Sequence, residues 1–149
     1  MYTLIISFHL KLNTYKTMND QNLQKYHDVA LLLLRIGVGL VFIVAGWGKL
    51  TGIEGTQGFF GDLGIPLAGL MAWVVAIVEF FGGLMVLFGA YARIPNLLLA
   101  IIMVVALLTT KLDGDFSGAR VDILLLLMTS ALFILCSGKI SIDGMLNKK

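Results

Sequence analysis

The amino-acid sequence predicts an all-α integral membrane protein: an antiparallel four-helix bundle with its N and C termini both cytoplasmic. Three observations carry that expectation. Mean hydropathy is +0.93, and only 13% of the residues are charged, about half the share of an ordinary soluble domain. Four apolar windows, at about 29–50, 67–89, 92–112 and 120–138, each exceed the roughly 18 residues that a bilayer crossing requires. Basic residues gather in the two tails and the second connection (Lys11, Lys16, Lys25, Arg93, Lys139, Lys148, Lys149), while Lys49, Lys111 and Arg120 flank the other connections, which orients the tails inward.

Residues 1–28 read as a polar N-terminal tail. Its short apolar stretch, Leu4 to Leu10, is too brief to span and lacks the small-residue cleavage site of a signal peptide. Met18-Asn19-Asp20-Gln21 resembles a native start, so residues 1–17 are expected to be an upstream extension or a disordered tail. Residues 29–138 form the transmembrane domain and residues 139–149 a C-terminal cytoplasmic tail.

The first window, Val29 to Leu50, carries a cation within it. Arg35, Gly39, Phe42, Gly46 and Lys49 recur at i, i+4, i+7, i+11 and i+14, which places them on one helical face. A cation in hydrocarbon costs several kcal/mol unless another group answers it. Thr51 to Pro66 is rich in glycine, and Phe59 and Phe60 point to a segment lying on the membrane surface.

The second window presents Ala72, Ala76, Glu79 and Gly83 along a face that is small apart from its carboxylate, suited to close helix approach. Counted from the ends of their windows, Glu79 lies about 18 Å and Arg35 about 9 Å in, an axial offset of about 6 Å between antiparallel helices. Glu79 is therefore the expected partner of Arg35. The pair reads either as a structural ion pair that fixes which helices are neighbours, or as a ligand-binding pocket lined also by Phe42, Gly39 and Gly83.

The third window opens on Pro95 in its first turn, and the fourth places Asp122, Leu125, Thr129, Phe133 and Cys136 on one face. Lys49, Asp122 and Lys111 are expected to form an outer polar cluster, either a solvated rim or a second site at the outer mouth. Trp47 and Trp73 read as belt or packing aromatics. Thr129 and Cys136 read as local hydrogen-bonding or space-filling groups.

The same residues exclude several chemistries. One cysteine permits neither an intrachain disulfide nor a C-x-x-C redox pair, and both histidines, His9 and His27, precede the first span. No metal site and no covalently bound cofactor is expected. A net charge of +2 without a basic stripe gives no reason to expect nucleic acid as a partner.

The ordered segments LLLRIGVGLVFIVAGWGKL, FFGDLGIP, VEFFGGLMVLFGAYAR and LCSGKISID resemble the DoxX family of small four-helix bacterial membrane proteins, from about Leu31 to Asp143. That resemblance implies a multi-pass protein of the bacterial cytoplasmic (inner) membrane. It also implies association with redox processes: quinone-coupled thiosulfate oxidation, oxidative-stress complexes, and resistance to catechols and quinones. The family's recurrent charged positions match Arg35, Lys49, Glu79, Arg93 and Asp143. Ala45, Lys111 and Asp122 stand where many members carry histidine, histidine and glutamate, which removes a histidine-based proton relay.

The expected function is binding of a quinone, catechol-like or other lipophilic small molecule in an intramembrane polar pocket, as a subunit of a quinone-linked oxidoreductase complex. The expected partners are the lipid bilayer, a membrane quinone, an oxidoreductase subunit and a second copy of the chain. The alternatives are a non-catalytic assembly or scaffold protein, for which the wider superfamily gives precedent, and a small transporter.

Overall fold

The computed structural model describes the backbone of residues 2–91, 93–110, 116–135 and 138–146, and the side chains of residues 23–91, 93–109, 119–135 and 138–146. Among the described residues the regular elements are all helices, without strands. In chain order they form α1 (Tyr2–Thr51), α2 (Ile53–Asp62), α3 (Ala68–Phe88), α4 (Arg93–Thr110), α5 (Phe116–Leu135) and α6 (Ile142–Leu146). Within α1, Leu23–Thr51 is long and apolar enough to cross a membrane, as is Ala68–Phe88; Arg93–Thr109 is a shorter apolar helix. Lys111 and Cys136 lie outside the described residues.

Helix α1 begins far upstream of Val29, so the expected change from tail to helix at that residue is absent from the backbone. Neither glycine nor proline interrupts residues 20–36, and no local signal stops the helix at the polar-to-apolar boundary. At its other end the chain passes Gly52 and re-forms a helix at once. α2 occupies the glycine-rich connection, with Gln57 Nε2 donating to the Gly69 carbonyl at 3.2 Å and tying α2 to the start of α3. Between them, Gly64 and Leu67 adopt left-handed backbone angles (φ 69° and 55°) that turn the chain back.

Helices α1 and α3 are antiparallel and closely packed. An added Cβ on Gly39 would lie 2.9 Å from the Gly83 carbonyl oxygen, and one on Gly46 would lie 2.8 Å from the Phe80 Cα. Such distances are open only to glycine, so these residues bring the two backbones together. The packing then runs from α3 to α4, from α4 to α5, and from α5 back to α1. Leu31, Val38, Phe42, Val86, Leu99, Met103, Leu125 and Leu132, from α1, α3, α4 and α5, fill the interior.

The outward faces are apolar. Leu33, Val44, Phe81, Ile101, Leu108 and Leu127 are each more than half exposed. Apolar surface on that scale is unusual for a protein surrounded by water and normal for one surrounded by lipid.

Candidate functional site

Polar side chains are scarce in this interior, and Arg35, Glu79, Asn96, Thr129 and Ser141 account for the buried ones among the described residues. Thr129 is answered within its own helix, its hydroxyl donating to the Leu125 carbonyl at 2.8 Å. Arg35 and Glu79 need partners from elsewhere, and each finds a different one.

Glu79 is 2% exposed and pairs with Lys49, whose Nζ lies 2.5 Å from the carboxylate Oε2. The half-buried Asp122 of α5 is close enough to repel the same carboxylate electrostatically. Three helices thus contribute to one cluster: the ammonium from α1, the carboxylate from α3 and a second carboxylate from α5. Trp47, two residues before Lys49, packs on Phe80, next to Glu79, with ring centroids 5.8 Å apart.

Arg35 lies at the opposite end of the α1–α3 contact. Its Nη2 donates to the Ile140 carbonyl, and Asp143 supplies the opposing charge. Nε and Nη1 are buried without a hydrogen-bond partner among the described residues. The C-terminal segment that receives Arg35 is folded back onto the helix ends. Lys139 donates its backbone N–H to Asp28 Oδ1 at 3.0 Å, and Asp143 accepts the Tyr91 backbone N–H at 2.9 Å. Ser141 is buried and caps α6 by accepting the Gly144 N–H at 2.9 Å.

The expected Arg35–Glu79 pair is therefore corrected. Arg35 sits across from Gly89, ten residues beyond Glu79 on α3, which is about 15 Å along the axis. The window ends misplace the helices because the register is set instead by the glycine contacts, Gly39 on Gly83 and Gly46 on Phe80. Lys49 and Asp122, assigned by sequence to a separate outer cluster, belong with Glu79; Lys111, the third member, lies outside the described residues. Phe42 is buried in the core, and Gly39 and Gly83 touch across the helix contact.

Sequence reasoning also missed the docking of residues 138–146. One signal for it was present: Gly138, which adopts φ 69° and reverses the chain directly after α5, where a Cβ would stand 3.1 Å from Asp28 Oδ1. Among the described residues, no three His, Cys, Asp or Glu side chains converge in a way that would hold a metal ion.

Apolar-faced helices around a buried carboxylate and its part-buried ammonium partner define a helical membrane protein with a polar site inside it. The comparisons specify it further. The DoxX family profile matches residues 30–112, and the chain belongs to that family. It is 39% identical to the Bacillus subtilis protein named "Putative oxidoreductase CatD", over 81% of this chain and 90% of that protein. It is also 39% identical to the Escherichia coli "Inner membrane protein YqjF", over 85% of this chain and 99% of that protein. The Mycobacterium tuberculosis "Uncharacterized membrane protein Rv3486" is 34% identical over 80% of this chain and 83% of its own length. No solved structure matches.

Proposed function

We propose that this protein is a four-helix inner-membrane protein with both termini cytoplasmic, and that it binds a quinone, a catechol-like compound or a similar lipophilic small molecule beside the Lys49–Glu79 pair. The observation that carries this reading is the pair itself. A carboxylate buried to this degree among lipid-facing helices is costly, and hydrophobic residues of similar size would usually serve stability as well or better. A carboxylate and an ammonium side by side can accept and donate hydrogen bonds to the oxygens of a ring ligand and can exchange protons with it. Asp122 adds a second acceptor from α5.

The redox association has a separate support, the name of the Bacillus subtilis relative. On this reading the protein works as a subunit beside an oxidoreductase. Inner-membrane placement is supported by the name of the Escherichia coli relative.

Trp47 offers a direct test, because replacing Trp73 leaves it as the sole tryptophan. In a Trp73→Phe background, titration with a short-chain benzoquinone should quench Trp47 fluorescence with saturation. Lys49→Met should weaken that binding by about tenfold, the effect of losing one charge-assisted hydrogen bond of about 1.5 kcal/mol. Quenching that rises linearly with quinone, and is the same in Lys49→Met, would refute a site at this pair.

A further inference from the structure

A second polar feature lies at the end of the molecule away from the Lys49–Glu79 pair, where α1 meets the segment that follows α5. An open cleft of about 490 Å³ is lined there by Gln24, Lys25, Asp28, Lys139 and Ile140. We propose that this cleft seats the phosphate-bearing headgroup of an anionic phospholipid.

The charge is suitable. Lys25 and Lys139 line the cleft together, and the Arg35 guanidinium stands directly behind Ile140, whose carbonyl it holds. Asp28 is the one carboxylate of the lining; its Oδ1 accepts the Lys139 backbone N–H at 3.0 Å, which turns that oxygen away from the cleft's ligand but leaves its charge, so the two lysines outnumber it by one. Lys139 Nζ meets the neutral Gln24 Oε1 at 2.9 Å, so that contact engages one of its three donors and cancels none of its charge. Basic pockets between helix ends at the membrane surface are suited to anionic headgroups, each lysine or arginine contributing about 1 kcal/mol of attraction.

The surroundings favour a lipid over a soluble phosphate. Lys25, Val29 and Leu33 follow one another at i, i+4 and i+8 along α1, so the cleft's lysine stands in line with two exposed apolar side chains. Ile134 and Leu135, just before the folded-back segment, are also exposed. A polar cleft with bare apolar surface running down the same helices matches a headgroup with acyl chains beneath it. The size also fits, since small-ligand sites range over about 300–1,000 Å³. This inference rests on the membrane setting of the helices and not on the quinone reading.

The test is lipid retention. The full chain is reconstituted in mixed phosphatidylcholine and phosphatidylglycerol, released into mild detergent, and its bound lipid counted by native mass spectrometry. Phosphatidylglycerol should be retained in preference to phosphatidylcholine. Lys25→Gln and Lys139→Gln should each lower that retention about fivefold, and the double variant about thirtyfold, with helix content by circular dichroism unchanged. Arg93→Gln, a charge-matched change outside the cleft, should retain phosphatidylglycerol like the parent.

Equal retention in the double variant and the parent would overturn the assignment. So would an equal loss in Arg93→Gln, which would reduce the effect to general attraction. Displacement of the lipid by millimolar inorganic phosphate, with phosphate bound in its place, would make the ligand a soluble anion and overturn the lipid assignment. Loss of quinone binding in Lys49→Met leaves this outcome unaffected, because Asp28 and Lys49 lie about 30 Å apart along α1.

Discussion

Energetic coupling between charged residues separates the observed pairing from the one the apolar windows predict. Replacing Lys49 with Met leaves the Glu79 carboxylate, 2% exposed, without its 2.5 Å partner. Removing one member of a fully buried ion pair costs about 3–5 kcal/mol in soluble proteins. Two features lower that figure here. Lys49 keeps 29% of its side-chain surface exposed, so part of its charge is already solvated. Polar contacts inside membranes measure lower too, at about 0.6–1.7 kcal/mol, because the unfolded reference also finds partners. The expected destabilisation by Lys49→Met is therefore about 1–3 kcal/mol, with a coupling to Glu79→Gln of about 1–2 kcal/mol. Arg35→Met should couple to Glu79→Gln by less than about 0.5 kcal/mol, because the two residues are about 15 Å apart along the helices and share no partner. Reversible unfolding in mixed micelles, followed by circular dichroism on the parent, single and double variants, measures both numbers. A Lys49–Glu79 coupling near zero, or an Arg35–Glu79 coupling as large, would refute the register described above.

Two further predictions concern glycines. Gly46→Ala places a methyl group 2.8 Å from the Phe80 Cα and should destabilise by about 1–3 kcal/mol, whereas Gly48→Ala, with nothing within 4 Å, should be neutral or stabilise by up to about 1 kcal/mol; the same unfolding assay compares them. Gly89→Ala combines a left-handed φ of 67° with a Cβ 2.6 Å from the Ser141 Cβ and a clash with the Arg35 guanidinium, so it should cost about 1–2 kcal/mol from the backbone alone and release residues 138–146. Faster amide hydrogen exchange across 138–146, with α4 unchanged, is the expected readout; unchanged exchange would mean that Arg35 does not hold that segment.

The Lys49–Glu79 pair and the Arg35 contact differ in what they ask of their surroundings. Glu79 meets its partner across an intimate helix contact, where small residues leave little freedom to rearrange. Arg35 depends on a segment more than a hundred residues away in sequence, through a carbonyl and the charge of Asp143. Four of the chain's charged residues thus fall into two groups, Lys49 with Glu79 and Arg35 with Asp143. Each group pairs a cation of α1 with an acid from another segment.

Helical class, membrane setting and family were legible from the residues alone. Their cause is local: apolar runs of spanning length form helices wherever they are placed, because backbone groups in lipid must be satisfied within the segment. The faces were legible as well, since a 3.6-residue period puts Arg35 with Lys49 and Ala76 with Glu79 whatever the partner. What periodicity does not contain is the axial register of one helix against another. The ends of an apolar run are defined only to within several residues, and a shift of about two turns exchanges one candidate ion pair for another. Tertiary structure decided that register through the depth at which Gly39 meets Gly83 and Gly46 meets Phe80, and so gave Glu79 to Lys49. It also decided the fate of Arg35, because a turn at Gly138 returns the chain to the helix ends, and which buried cation that returning segment would meet depends on three-dimensional proximity that no local pattern records.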